Sequence, residues 1–311
     1  MNPKLSPSLP KSLDDKHSSL VKEQFIVHDS SVTYLNTGSV GRKPQVVLSA
    51  LESGWQRFNN NPTRITYFES ELIEEARTAC ASLIGGKSDS VLMIDSVSNG
   101  LQLILQSFLK KPGDEVILTS QEHPSAMAVC RHLEDTRGIR VKKYRIPKGI
   151  SSEQLCLDMV NMVTGNTKIV LVSEINCHTG WRPDLTLLTE SLKLLDVPLL
   201  LDGAHTPGNF KINPYHAPLW VGAGHKWLGG PNTTAFAYID REYIPRLEPV
   251  WVAGGFFEAR DAEIYDLRRF ECKGHTDPIK WFALKEAIEF YQSLDHNHLA
   301  EYQDSLLLYL N

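Results

Sequence analysis

The 311-residue sequence has no apolar run near the roughly 20 residues that a membrane-crossing helix needs, so no such span is expected. It also has no surplus of positive charge. Lys and Arg number 32 against 37 Asp and Glu, a formal net charge of −5. That balance argues against a general nucleic-acid binder, which clusters excess basic residues. Cysteine is sparse: Cys80, Cys130, Cys156, Cys177 and Cys272 are scattered, with no close pair and an odd total. They fit neither a disulfide framework nor a zinc site, and they point to a reducing, cytoplasmic compartment. Internal repeats are missing, and so are the GxxxxGK[ST] and GxGxxG phosphate loops. Residues 1–31 are polar and rich in Pro, Ser and Lys, without the apolar core of a signal peptide, and read as a flexible tail. The remaining composition, 42% hydrophobic and 22% charged, is that of a globular enzyme-sized chain.

From about residue 32, short β-rich runs alternate with helical patterns. Strands are expected at Val91–Ile94, Val116–Thr119, Ile169–Ser173, Leu199–Asp202, Trp220–Gly222 and Ala235–Ile239. Helices are expected near 43–58, 69–84, 99–110, 125–137, 152–163 and 184–195. Several of the strands are apolar throughout, as when helices cover both faces of a mostly parallel sheet. The alternation predicts a doubly wound α/β fold whose site lies at the C-terminal strand ends. The expected organisation is a large domain over 32–245 and a partial, mainly helical C-terminal region over 246–311. Helices are predicted there at 277–293 and 298–310.

Four segments at predicted strand ends could carry chemistry. In Val221-Gly-Ala-Gly-His-Lys-Trp-Leu-Gly-Gly-Pro231, Lys226 follows a strand inside a glycine-rich loop. There an amine of lowered pKa could form a Schiff base with an aldehyde, although a solvated surface lysine would look the same. In Leu199-Leu-Leu-Asp-Gly-Ala-His-Thr-Pro207, Asp202 ends an apolar strand, where a buried carboxylate needs a partner. A protonated pyridine nitrogen would serve, and so would a simple turn cap. His205 is a further ring contact or a turn residue. Asp95-Ser-Val-Ser-Asn-Gly100 places small hydroxylic residues at a helix start, where free N–H groups could cradle a phosphate; Ser98 could equally be an ordinary N-cap. Ser120-Gln-Glu-His-Pro124 offers His123 either to stack on a flat ring or to end a turn.

Together these residues resemble the class V aminotransferase family, fold type I pyridoxal phosphate enzymes, over roughly residues 33–293. Tyr34-Leu-Asn-Thr-Gly-Ser-Val-Gly41 is similar to the opening motif of the isopenicillin N epimerase-like and cysteine lyase-like branch. Gly-Asp-Glu-Val-Ile-Leu (113–118), Asp202 with His205, and Gly224-His-Lys-Trp-Leu-Gly-Gly-Pro231 follow in family order. The resemblance implies a fold type I large domain and pyridoxal 5'-phosphate as cofactor. Lys226 would join the cofactor aldehyde and act as general base. Asp202 would pair with the pyridine nitrogen, with His205 beside it, and His123 would stack on the ring. Val97, Ser98 and His225 would hold the phosphate. Three departures stand out. Cys177 occupies the position of an asparagine that meets the cofactor's phenolic oxygen, with Asn176 one step away. His275 replaces a threonine that reaches the partner subunit's phosphate, leaving Thr276 as the substitute. Family members also continue into a small C-terminal domain that supplies a substrate-binding arginine, so this chain is expected to be short at its C-terminus. The mobile cysteine loop of desulfurases would lie there too, which disfavours desulfurase activity.

The resemblance therefore implies chemistry at Cα or Cβ of an amino acid, with cysteine-derivative β-elimination or epimerisation preferred. A transaminase and a cofactor-binding scaffold without turnover are the alternatives. A nicotinamide-dependent oxidoreductase shares the fold rhythm but would need the missing glycine fingerprint. By the same analogy a homodimer is expected, while the charge balance and the lack of a long apolar run lead us to expect neither nucleic-acid nor membrane partners.

Overall fold

The apolar runs become adjacent strands in the computed structural model, which describes residues 21, 23–26, 31–68, 71–213, 217–253, 264–271 and 273–310. Cys272, most of the N-terminal tail and part of the expected 245–275 boundary lie outside those residues. In chain order the helices that open the fold are α1 (Gln45–Asn60), α2 (Pro62–Phe68) and α3 (Glu71–Ile84). Strand β1 (Val91–Ile94), α4 (Val97–Phe108), β2 (Glu115–Thr119), α5 (Pro124–Arg137) and β3 (Arg140–Tyr144) follow. Next come α6 (Ser152–Asn161), β4 (Thr167–Ser173), α7 (Thr186–Leu194), β5 (Leu199–Asp202), β6 (Leu219–Ala223) and β7 (Ala235–Ile239). Helices α8 (Ile279–Gln292) and α9 (His296–Leu310) complete the order.

The seven strands form one sheet in the order β1-β7-β6-β5-β4-β2-β3, with β7 antiparallel to both of its neighbours and the other pairings parallel. Because side chains alternate across a strand, each apolar strand feeds two cores. Leu199 and Leu201 join the core that α1, α3, α6, α7 and α8 cover, while Leu200 joins the core under α4 and α5. Helix α8 buries Ile279, Trp281, Leu284 and Ile288 and packs chiefly on α1 and α3.

Two differences from expectation have local causes. Strand β3, Arg-Val-Lys-Lys-Tyr, exposes Arg140 and Lys143 and only half-buries its other three residues at the sheet edge, and so lacks the continuous apolar signal. Helix α4 begins at Val97 because Ser96, extended at φ −159°, accepts from Asn99 N–H at 3.2 Å. Ser98 is therefore not the N-cap but lies inside the first turn. Helix α5 shows ordinary punctuation at both ends: Pro124 fills its first position and Gly138 ends it at φ +68°.

The free edge of β1 is closed by side chains. Arg77 of α3, 1% exposed, meets Glu271 through Nη1 at 2.7 Å and Nη2 at 2.9 Å, and donates from Nη1 to Val91 O at 2.9 Å. Glu271 Oε1 also accepts from Met93 N–H at 2.8 Å. Glu271→Ala would leave a buried guanidinium and a strand N–H without this partner. Its urea midpoint is expected to fall by the equivalent of about 3 kcal/mol, the cost of breaking rather than replacing a buried pair.

Candidate active site at the C-terminal strand ends

The C-terminal ends of β1, β2, β4, β5 and β6 carry Asp95–Ser98, Ser120–His123, Glu174–Cys177, Asp202–His205 and Gly224–Lys226 respectively. This is the rim where an α/β sheet builds its site.

Lys226 stands at its centre, half-buried, with Nζ 3.2 Å from His205 Nε2. The protonation of that contact follows from its neighbours. Trp227 Nε1, which can only donate, points at His205 Nδ1 from 3.1 Å. Nδ1 is therefore bare and the ring proton sits on Nε2. The Nε2–H can bond Lys226 only if Nζ presents a lone pair, that is, as a neutral amine. Burial pushes the Lys226 ammonium below its usual pKa, opposed by the charges of Asp202 and Cys177. Burial, reinforced by Lys226 and His123, also pushes His205 down to about 4, so its ring is neutral at neutral pH.

The loop bearing Lys226 is clamped from two sides. Gly41 N–H donates to His225 O at 2.8 Å, and a Cβ on Gly41 would lie 1.8 Å from Lys226 O. That close approach explains the last glycine of the 34–41 motif. From the opposite side, Gly208 (φ +83°) presses on the Trp227–Leu228 backbone, where a Cβ would come within 2.3 Å of Leu228 N.

Asp202, 4% exposed, accepts from Ala204 N–H at 3.0 Å, and burial raises its pKa despite the Lys226 and His123 charges. The turn after it is fixed from below. Trp220 fills the space that Cβ atoms on Gly203 and Gly222 would enter, at 2.2 and 2.1 Å. Its Nε1 donates to Glu174 Oε2 at 3.0 Å, and Thr206 Oγ1 donates to the same oxygen at 2.6 Å. Buried Glu174 thus holds the His205 turn against the sheet.

His123 caps α5, its Nδ1 accepting from Ser125 N–H at 3.1 Å, which leaves the proton on Nε2; burial lowers its pKa. His225 has the opposite tautomer, because Nδ1 faces the carbonyl of Thr234 at 3.3 Å and must donate to it. Burial lowers His225 as well, so Nε2 donates only after protonation, which an adjacent phosphate would favour. The Val97 and Ser98 N–H groups, in the first turn of α4, have no intrahelical acceptor.

Asn176 is buried, but its amide is committed to its own turn and to the loop after β2. Nδ2 donates to Gln121 O at 3.1 Å, and Oδ1 accepts from His178 and Thr179 N–H at 2.9 and 3.0 Å. That departs from the expected cofactor contact. Cys177 is instead the residue that senses Asp202 and Lys226, and burial raises its thiol. Thr276 is exposed on the Gly274 turn and, among the described residues, makes no hydrogen bond to this group.

Composition and motif reading passed over Glu122, Glu174 and Trp220. Glu122 lies between β2 and β4, accepting from Thr119 Oγ1 at 2.6 Å and Ser173 Oγ at 2.5 Å. Its signal was an acidic residue directly before a candidate ring-stacking histidine.

The donor set fits a flat heterocycle bearing an aldehyde, a basic ring nitrogen and a phosphate. Lys226 offers an amine whose ammonium form burial disfavours, Asp202 a buried carboxylate, and α4 a helix N-terminus with free N–H groups.

Residues 33–311 match the sequence model of the aminotransferase class-V family. Isopenicillin N epimerase of Streptomyces clavuligerus is 26% identical over 281 residues, covering 86% of this chain and 70% of that protein. A probable cysteine desulfurase of Ureaplasma parvum serovar 3 is 25% identical over 300 residues, covering 91% and 72%. Among solved structures, a cystine C–S lyase in complex with its product cysteine persulfide superposes with a TM-score of 0.78 at 21% identity, covering 86% of this chain and 73% of that one. A variant of that lyase with glycine covalently linked to its PLP cofactor gives 0.77 at 22%, covering 88% and 74%.

Burial raises the Glu122 carboxyl to about 7 from its ordinary 4.5, with Asp202 adding to the rise. Between those two pH values the folded chain holds a proton that the unfolded chain has released, so this group lowers stability as pH rises through the window. Glu122→Gln removes the effect. Its stability relative to wild type is expected to climb by ~2 kcal/mol between pH 4.5 and 7, read from urea melts of both proteins. A flat difference would place the proton elsewhere.

Proposed function

The chain belongs to the class V aminotransferase family, and from that membership we propose that it is a pyridoxal 5'-phosphate enzyme that eliminates the β-substituent of a cysteine derivative. The observation that carries this reading is the Trp227–His205–Lys226 chain of hydrogen bonds, which holds an amine in its basic, nucleophilic form. When bound, the cofactor supplies an electron sink that lowers the barrier to loss of the substrate's Cα proton.

The chain's own residues do the rest. Lys226 Nζ is the amine able to bond the cofactor's aldehyde carbon and, freed from it, the base for the Cα proton. Asp202 keeps a proton on the ring nitrogen, since a cation there stabilises a carboxylate that burial otherwise disfavours. His123, oriented by its N-cap bond, packs on the ring face. The Val97 and Ser98 N–H groups and the Ser98 hydroxyl hold the phosphate, with His225 joining as imidazolium. Asn176 shapes the loop that sets Cys177 beside the cofactor. Thr276, exposed on its turn, is offered to the phosphate of a second copy in a homodimer.

Elimination needs one base at Cα, whereas epimerisation needs a second proton donor or acceptor on the opposite face. Lys226 supplies the first. Nδ1 of His123 is tied to α5, so its free side carries an N–H that cannot take up a proton, and His123 is not a second base. Support for chemistry at a carbon–sulfur bond comes from the 34–41 motif and from relatives named as cysteine desulfurases.

Adding pyridoxal phosphate to the purified protein is expected to produce a near-visible absorption band and a borohydride-stable adduct that mass spectrometry maps to Lys226. Cysteine derivatives should then release pyruvate, ammonia and a thiol or persulfide. Lys226→Ala should abolish the adduct and cut turnover by about a thousandfold. Loss of optical activity without pyruvate would replace elimination by epimerisation, and turnover that requires a keto acid would replace it by transamination. An adduct with no turnover of any amino acid would indicate a scaffold.

A further inference from the structure

Asp95 directly follows β1, and the next three residues are the Ser96 cap, Val97 and Ser98 that open α4. Its carboxylate receives two ammonium groups: Lys280 Nζ meets Oδ1 at 2.7 Å, and Lys273 Nζ meets Oδ2 at 3.1 Å. Both lysine side chains are nearly sealed from water, 6% exposed for Lys280 and 11% for Lys273. Their other contacts are aromatic faces, Trp281 at 4.8 Å and Trp251 at 5.2 Å. Among the described residues neither ammonium has a second carboxylate. The triad therefore carries one buried positive charge in excess.

An unneutralised buried charge is costly unless an anion compensates it. Here it borders the positive end of the α4 dipole, one residue before the helix N-cap. Lys280 projects from the first turn of α8, which packs on α1 and α3, so the charge is held by rigid elements. A dianionic phosphate at Val97 and Ser98 is the anion this arrangement can compensate.

We propose that Lys273 and Lys280, gathered on Asp95, form a cationic clamp that selects the phosphorylated cofactor over its unphosphorylated form. The inference rests on the pyridoxal phosphate reading of the site and adds residues to it. A purely structural role is the competing account, in which the triad only ties α8 and the 271–278 segment to β1. The two accounts differ in sign at one position. If the triad is a tie, losing any member weakens the site. If it is a clamp, Asp95→Asn leaves two unneutralised ammonium groups and favours the phosphate, while loss of either lysine disfavours it.

The full chain and its Lys280→Met, Lys273→Met and Asp95→Asn variants are titrated with pyridoxal phosphate and separately with pyridoxal. Affinities are read from absorbance and compared with thermal shifts. Each lysine variant is expected to lower the ratio of pyridoxal phosphate to pyridoxal affinity by about tenfold, with pyridoxal binding unchanged, while Asp95→Asn holds or raises the ratio. Should Lys280→Met fail to fold, the more exposed Lys273 and the Asp95 variant decide. An unchanged ratio in the lysine variants, or a fall in Asp95→Asn matching theirs, overturns the clamp alone. Wild-type protein that binds neither compound overturns the reading of the site and the clamp with it.

Discussion

A lysine serves as base or nucleophile near neutral pH only where its ammonium form is made unfavourable, and the packing around Lys226 enforces that condition. Three elements contribute. The 34–41 segment lays Gly41 against the Lys226 carbonyl, and Gly208 presses on the backbone two residues on. The indole of Trp227 then dictates the His205 tautomer, and His205 dictates that Nζ must accept. Burial sets the direction of the pKa, and the hydrogen-bond directions make the neutral form the one the geometry accommodates. The glycines of this region follow from the same requirement, since side chains at 41, 203, 208 or 222 would collide with the backbone or ring that holds the loop in place.

The sheet was largely legible because its signals are local. Unbroken apolar runs such as Leu199–Leu201 announce strands buried on both faces, and the glycine and hydroxyl residues after them mark the turns. Strand β3 escaped because an edge strand needs no apolar run, and its lysines look like those of a loop. The candidate site was legible at Lys226, Asp202 and His205, whose residue types are unusual at strand ends. It was less so at Ser96 and Asn176. Whether Ser96 or Ser98 caps α4 depends on one backbone conformation, and whether Asn176 faces outward or into its own turn depends on the path of the chain to Gly180. Supporting groups such as Glu174 and Trp220 were hidden for a different reason. They act across 46 residues of separation, and no spacing rule records such a pairing.

The buried carboxyl groups near the site settle their charge in different ways, and the contrast assigns their parts. Glu174 receives Trp220 and Thr206 and has Arg182 3.7 Å away, so its polar partners are supplied within the fold and its part is structural. Glu122 has two hydroxyl partners and the Ser173 backbone but no cation beside it among the described residues, and it answers burial by keeping its proton to about pH 7. Asp95 has more positive charge than it can neutralise. Asp202 has one backbone N–H and the more distant influence of Lys226 and His123.

Ser173 and Asp202 are register partners on β4 and β5, so Glu122, bonded to Ser173, lies one strand from Asp202. Two ionised carboxylates that close would repel each other in a medium of low dielectric. By retaining its proton, Glu122 leaves Asp202 as the carboxylate free to ionise, and a cationic ring nitrogen is what would let it do so. The charge deficit beside Asp202 and the charge excess beside Asp95 then have one common remedy: a ligand with a protonated ring at one end and a phosphate at the other. Neither imbalance alone specifies that molecule. Their placement on strands of the same sheet, on either side of Lys226, narrows the ligand chemistry more than any single motif does.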